Sequence, residues 1–125
     1  MSVVEQYARA HIVTDADLLD EEHAAVPVVL RYDPEDDPRT VRVGLPGTHE
    51  WTIARALLEQ GLRAPVGSGG VRVWPCGRVQ AVVEFHTTQG VSVVQFESKT
   101  LVRFLRRTYT AAAAQSVGRR PHVTH

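Results

Sequence analysis

Few side chains in this 125-residue sequence could carry covalent or metal chemistry, and their spacing leaves each without the company such chemistry needs. The single thiol, Cys76, could serve as a nucleophile if His86 lay beside it as a base, but nothing nearby in sequence supplies a group to orient that base. A small cysteine, buried or at an interface, is the better reading. Asp15-x-Asp17 begins like a calcium loop, yet Leu19 takes the third ligand position and Asp20 stands where the loop requires glycine. Gly67-Ser68-Gly69-Gly70 is followed by no Gly-Lys-Ser/Thr and precedes a strand instead of a helix, so it is no phosphate cradle. The six histidines are scattered, and the one close pair, His122 and His125, has no cysteine or carboxylate beside it to complete a zinc site. The sequence therefore predicts no catalytic residue, no cofactor and no metal: a protein that binds and does not react.

What it binds is constrained by charge. Fourteen Lys and Arg balance fourteen Asp and Glu, which argues against bulk attraction to nucleic acid or anionic lipid. The balance hides an asymmetry. Acidic residues crowd the first part (Asp15, Asp17, Asp20, Glu21, Glu22, then Glu35, Asp36, Asp37), and from Arg63 onward basic residues are opposed only by Glu84 and Glu97. Such a dipolar layout either orients subunits and partners or amounts to two solvated faces. Arg103, Arg106 and Arg107 are the candidate interaction residues. One cysteine allows no internal disulfide and fits a reducing compartment. No apolar run reaches the length of a membrane span, and Glu5, Arg9 and His11 interrupt the N-terminal apolar residues where a signal peptide would be continuous, so the expected address is cytoplasmic, without membrane insertion.

The elements that must position these groups follow from periodicity. At 43% hydrophobic and 22% charged, the chain reads as one soluble domain with its own core. Tyr7 to Val13 alternates as a strand, and the acidic stretch from Thr14 to Ala25 reads as a loop. A second strand runs from Pro27 through Tyr32 to an Asp33-Pro34-Glu35-Asp36-Asp37-Pro38 turn, and a third covers Val41, Val43 and Leu45, closed by Pro46-Gly47. Trp51, Ala54, Leu57 and Leu58 fall at helical spacing after Thr48 as a cap, with Glu50 in the first turn, Gly61 as a left-handed stop and Leu62 beyond it folding back onto the last turn. Strands are expected at Val71–Trp74, at Val79–His86 and, after a Gln89-Gly90 turn, at Val91–Phe96. Ser98 caps a last helix with Leu101, Val102, Leu105 and Tyr109 on one stripe and Lys99, Arg103, Arg106 and Arg107 on the other. The expectation is an α+β domain with about six strands and two main helices.

The motifs along this frame resemble those of a known family. Leu30-Arg31-Tyr32-Asp33 with its acidic proline turn, Trp51 with Ala54-Arg55 and Leu57-Leu58, Gly61-Leu62 with Pro65, Gly67 and Gly69, Val71-Arg72-Val73-Trp74-Pro75, and Phe104-Leu105 with Arg107-Thr108 occur in the order of the SsgA-like proteins, a sporulation and cell division family of morphologically complex actinobacteria. The resemblance covers about residues 5 to 109, and the ordered series is far more specific than any one motif. It implies a Whirly-like fold of curved antiparallel sheet and helices, with 1–109 as the SsgA-like domain; beyond it, 110–125 reads from its own residues as a helix extension through Ala111–Ala114 and a flexible tail. It also implies a homotrimer that acts without catalysis in sporulation-specific division, placing or recruiting the tubulin-like FtsZ or controlling septal cell-wall events, with FtsZ, an SsgA-like paralogue or another division or cell-wall protein as partner, and concentrated at the septum.

The motif residues have physical roles of their own. Trp51 and Trp74 anchor two halves of the core or bury at a subunit interface. Arg31-Tyr32-Asp33 at a strand end offers an Arg to carboxylate lock on the turn, with Arg55 as competitor. Leu58, Gly61, Val73 and Pro75 complete the motif set, and Gly67 to Gly70 permit positive φ. Three positions depart from the family pattern: Gly70 where an acidic residue is usual, Cys76 where serine is common, and Ile53 where an aromatic residue is common. The alternative function is single-stranded nucleic-acid binding, which the implied fold supports elsewhere. That mode needs exposed aromatics interleaved in a positive groove, and an aromatic content of 6% disfavours it.

Overall fold

The computed structural model describes residues 3–13, 25–45, 50–88 and 90–119. The acidic stretch 14–24, the Pro46-Gly47 turn with Thr48, Gln89 and the tail 120–125 lie outside them. The elements in chain order are β1 (Val4–Val13), β2 (Val26–Tyr32), β3 (Thr40–Gly44), β4 (Glu50–Ala54), α1 (Arg55–Gly61), β5 (Val66–Ser68), β6 (Val71–Cys76), β7 (Gln80–Thr87), β8 (Gly90–Glu97) and α2 (Ser98–Arg119). The strands form a single antiparallel sheet in the order β4-β3-β2-β1-β8-β7-β6-β5. Two four-stranded meanders are therefore joined at one seam, where Ala10 faces Phe96 and Ile12 faces Val94.

Alternation decides which side is dry. Ala8, Ala10, Val28, Leu30, Val41, Val43, Ile53, Val73, Ala81, Val83, Phe85, Val94 and Phe96 all point to the inner face and are buried. The sheet curls over this face. Trp51 of β4 stacks on Phe85 of β7 with ring centroids 4.6 Å apart, although four strands lie between β4 and β7 in the sheet order. The curl brings the two edge strands close enough for α1, only about 10 Å long at 1.5 Å per residue, and a short turn to join them. The connection also packs against β4, β5 and β6, so the edges are not left bare. α2 closes the inner side through Leu101, Phe104 and Leu105.

Among the described residues the fold is α+β with two helices, as expected, but the strand count is eight rather than about six. Both extra strands were hidden by local ambiguity. Trp51 fits a helical stripe with Ala54 and Leu58, yet Trp51 and Ile53 also alternate with Glu50 and Thr52, and pairing with β3 (Val43 to Trp51, Val41 to Ile53) selects the strand. The helix starts only at Arg55, after Ala54, and has no side-chain cap. β5 is three residues long with a glycine at its centre, too short to leave a periodic signal. Gly61 does not adopt a left-handed conformation; among the described residues the positive φ values fall at Gly69, Gly70, Gly77 and Gly90. Its role is closeness: a Cβ there would lie 2.2 Å from Val73 Cγ1. In α2 the dry stripe is Leu101, Phe104, Leu105, Thr108 and Ala111, while Val102 and Tyr109, expected on it, are 37% and 42% exposed.

Candidate interaction site

The basic side of α2 is where the sequence placed it. Arg103, Arg106 and Arg107 recur at helical spacing, so with Leu101, Phe104 and Leu105 held inward they share one exposed face. Beside them the start of β1 runs against the helix. Gln6 Nε2 donates to the Thr100 carbonyl at 3.1 Å, and Arg107 Nη1 donates to Gln6 Oε1 at 3.2 Å and to the Glu5 carbonyl at 3.4 Å. Between helix and strand lies a groove of about 450 Å³ with an apolar floor of Val3, Val4, Ala111 and Ala114 and a rim that carries the three arginines. Arg107 is spent on the clasp to β1. Arg103 and Arg106 are exposed and form no ion pair among the described residues.

The other motif residues form two interior clusters and one outer patch. Tyr32 is buried and donates its hydroxyl proton to the Pro38 carbonyl at 3.0 Å, bracing the β2–β3 turn. Arg55 donates to the same Tyr32 oxygen at 3.2 Å, and its guanidinium lies 4.0 Å from the centroid of Tyr109 and 5.4 Å from that of Tyr32. Tyr109 in turn donates to Glu59 Oε1 at 2.9 Å. This chain links β2, α1 and α2. Both phenols are held above the ordinary tyrosine range: Tyr32 chiefly by burial, against the lowering effect of Arg55, and Tyr109 chiefly by its hydrogen bond to Glu59.

The expected Arg31 lock on Asp33 does not form. Arg31 points to the outer face, where it meets Glu5 across the β1–β2 pair at 3.2 Å and Glu50 at 3.8 Å. Asp33 Oδ1 instead accepts the backbone amides of Glu35 at 3.0 Å and Asp36 at 3.4 Å, an Asx turn that needs no arginine. Leu58, Gly61 and Val73 meet where α1 crosses β6. Pro75 sits in β6 beyond the three residues that β5 pairs, so its missing amide breaks no ladder on that side. Trp51 anchors the core, but Trp74 faces outward opposite Val82, half-buried, with the Arg72 guanidinium 5.8 Å from its ring.

Cys76 is exposed at one end of the β6–β7 pair, across from Gln80, and His86 lies at the other, bonded through its amide to the Gly70 carbonyl at 2.7 Å. At about 3.3 Å per residue, they stand roughly 20 Å apart along the strands. Sequence reasoning missed Gln6 and Glu59. Their partners are 94 and 50 residues away, and no local pattern announces such contacts.

A curled antiparallel sheet closed by two helices, with motif residues spent mostly on its interior, defines a structural class that solved proteins share. The structure is similar to one solved for SsgB of Streptomyces coelicolor, described in connection with mutations that correlate to longitudinal cell division during sporulation, with TM-score 0.75 and 34% identity over 87% of this chain and 86% of that one. It is also similar to an SsgA-like sporulation-specific cell division protein from Thermobifida fusca, with TM-score 0.69 and 26% identity over 93% of this chain and 87% of the other. In sequence it is 35% identical over 124 residues to the sporulation-specific cell division protein SsgB of Salinispora tropica, covering 90% of this chain and 85% of the relative. The SsgB of Streptomyces coelicolor is 37% identical over 92 residues, 69% of this chain and 67% of that protein. The family model "Streptomyces sporulation and cell division protein, SsgA" matches residues 26–116. The chain belongs to that SsgA family of sporulation and cell division proteins.

Proposed function

We propose that this protein is a non-enzymatic adaptor in sporulation-specific cell division, built on a Whirly-like sheet, assembled as a homotrimer in the cytoplasm and concentrated at the septum. Its relatives are named sporulation-specific cell division proteins, which supports the process. The observation that carries the adaptor reading is the exposed α2 face, where Arg103 and Arg106 stand without ion-pair partners among the described residues beside an apolar floor. Unspent cations next to exposed apolar surface suit recognition of another macromolecule. In this reading the trimer uses sheet and helix surfaces, and the adaptor face is presented to FtsZ, to a paralogue or to a septal cell-wall protein.

Deleting the gene in its actinobacterial host tests the process. Sporulation septa are expected to be lost or misplaced while vegetative growth continues, and normal septation in the deletion strain would remove the reading. Light scattering on the purified chain is expected to return three times the 13.8 kDa protomer mass.

A further inference from the structure

We infer that the groove between α2 and the start of β1 is a docking slot for an acidic segment of a partner protein, one that places two or three apolar side chains on the floor and carboxylates against Arg103 and Arg106. The inference rests on the adaptor reading above and names the chemistry of what is adapted.

Three features of the groove select this occupant. The floor is made of small side chains, Val3, Val4, Ala111 and Ala114, so space of about 450 Å³ opens where larger residues would fill it. Val3 is 43% exposed, leaving apolar surface for a partner to cover. The rim is cationic with charge to spare, because Arg107 is bonded back to Gln6 and Glu5 whereas Arg103 and Arg106 are not ion-paired among the described residues. Planar guanidinium groups flanking an apolar trough match carboxylates flanking apolar side chains, and each such pair can be bidentate.

The same features disfavour other macromolecules. Single-stranded nucleic acid would want rings to stack on, and none of the described lining residues carries one. Insertion into a membrane surface would want large apolar side chains that project, and the described lining residues include no aromatic and no leucine. The groove is also anchored at both walls, since Gln6 ties the strand to Thr100 and Arg107 ties the helix to the strand. It is therefore preformed, so a ligand need not order it on binding.

The test uses the full chain and a fluorescein-labelled 12-residue peptide with two leucines and four carboxylates, together with an otherwise identical peptide in which the carboxylates are amides. The acidic peptide is expected to bind at low salt and to weaken steeply by moderate salt, and the amide peptide to bind at least about tenfold more weakly, as loss of two charge-assisted contacts implies. Arg103→Ala with Arg106→Ala should weaken the acidic peptide about tenfold or more, Ala114→Trp should block it by filling the floor, and both variants should keep the wild-type melting temperature and oligomeric size. Equal binding of both peptides, or equal binding by wild type and the arginine double variant, overturns the inference. So does a changed oligomeric size in that double variant, which would make the groove a contact between copies. Displacement of the peptide by oligothymidylate or by vesicles of anionic phospholipid would assign the groove to those ligands and overturn it as well. In the host, a strain carrying the arginine double variant that septates normally while the deletion strain fails would sink the slot and leave the adaptor reading standing.

Discussion

At the residue scale the most instructive position is Gly61. Glycine inside an exposed helix is normally the weak choice, and alanine there gains about 1 kcal/mol. Here the sign reverses, because the added methyl would meet Val73 Cγ1 at 2.2 Å where α1 crosses β6. Gly61→Ala is expected to destabilise by about 2 kcal/mol in urea unfolding, the cost of overpacking a filled contact. Arg55 is the second such residue. Its charge lies over the Tyr109 ring and its Nη1 donates to the Tyr32 hydroxyl, so Arg55→Ala should lower stability by about 2 kcal/mol, and Arg55→Lys should recover less than half, since an ammonium cannot reproduce the planar fork. The two phenols add a pH signature. Both are raised above 10.0 in the fold, so the unfolded chain loses these protons first. Their contribution to stability is level through neutral pH and is lost as pH rises past 10.0 through the folded-state values. A phenolate absorbance titration should show a later component in the native protein than in urea.

At the scale of elements, the curl of the sheet depends on what joins β4 to β7. Trp51→Ala removes the stack on Phe85 and should cost about 3 kcal/mol, with loss of the near-ultraviolet dichroism of packed aromatics. Six strands and α2 were legible in the sequence because each carries its own alternation or stripe, as in Val28, Leu30 and Tyr32. β4 was not, because Trp51 satisfies both periods and only the Val43 partner breaks the tie. The α2 stripe was read one position off: Tyr109 looks like a core aromatic, yet its ring covers Arg55 and its hydroxyl reaches Glu59. The three arginines were legible as a charged face. The groove beside them was not, since Val3 and Val4 arrive from the far end of the chain. The Gln6 clasp belongs here too: Gln6→Ala is expected to lower stability by about 1 kcal/mol and to loosen the slot, seen as faster hydrogen exchange at the start of β1.

For the whole molecule, the governing feature is the seam at which β1 meets β8. The strand that opens the chain and the last strand before α2 lie side by side at the middle of the sheet, so the contacts that complete it are the most distant in sequence. Refolding is therefore expected on the slow side for a chain of this size, in stopped-flow measurements of tryptophan fluorescence. During synthesis the consequence is sharper. Until Gly90–Glu97 has left the ribosome, β1 displays a bare hydrogen-bonding edge, and a nascent chain stalled before that point offers neighbouring chains a template for pairing.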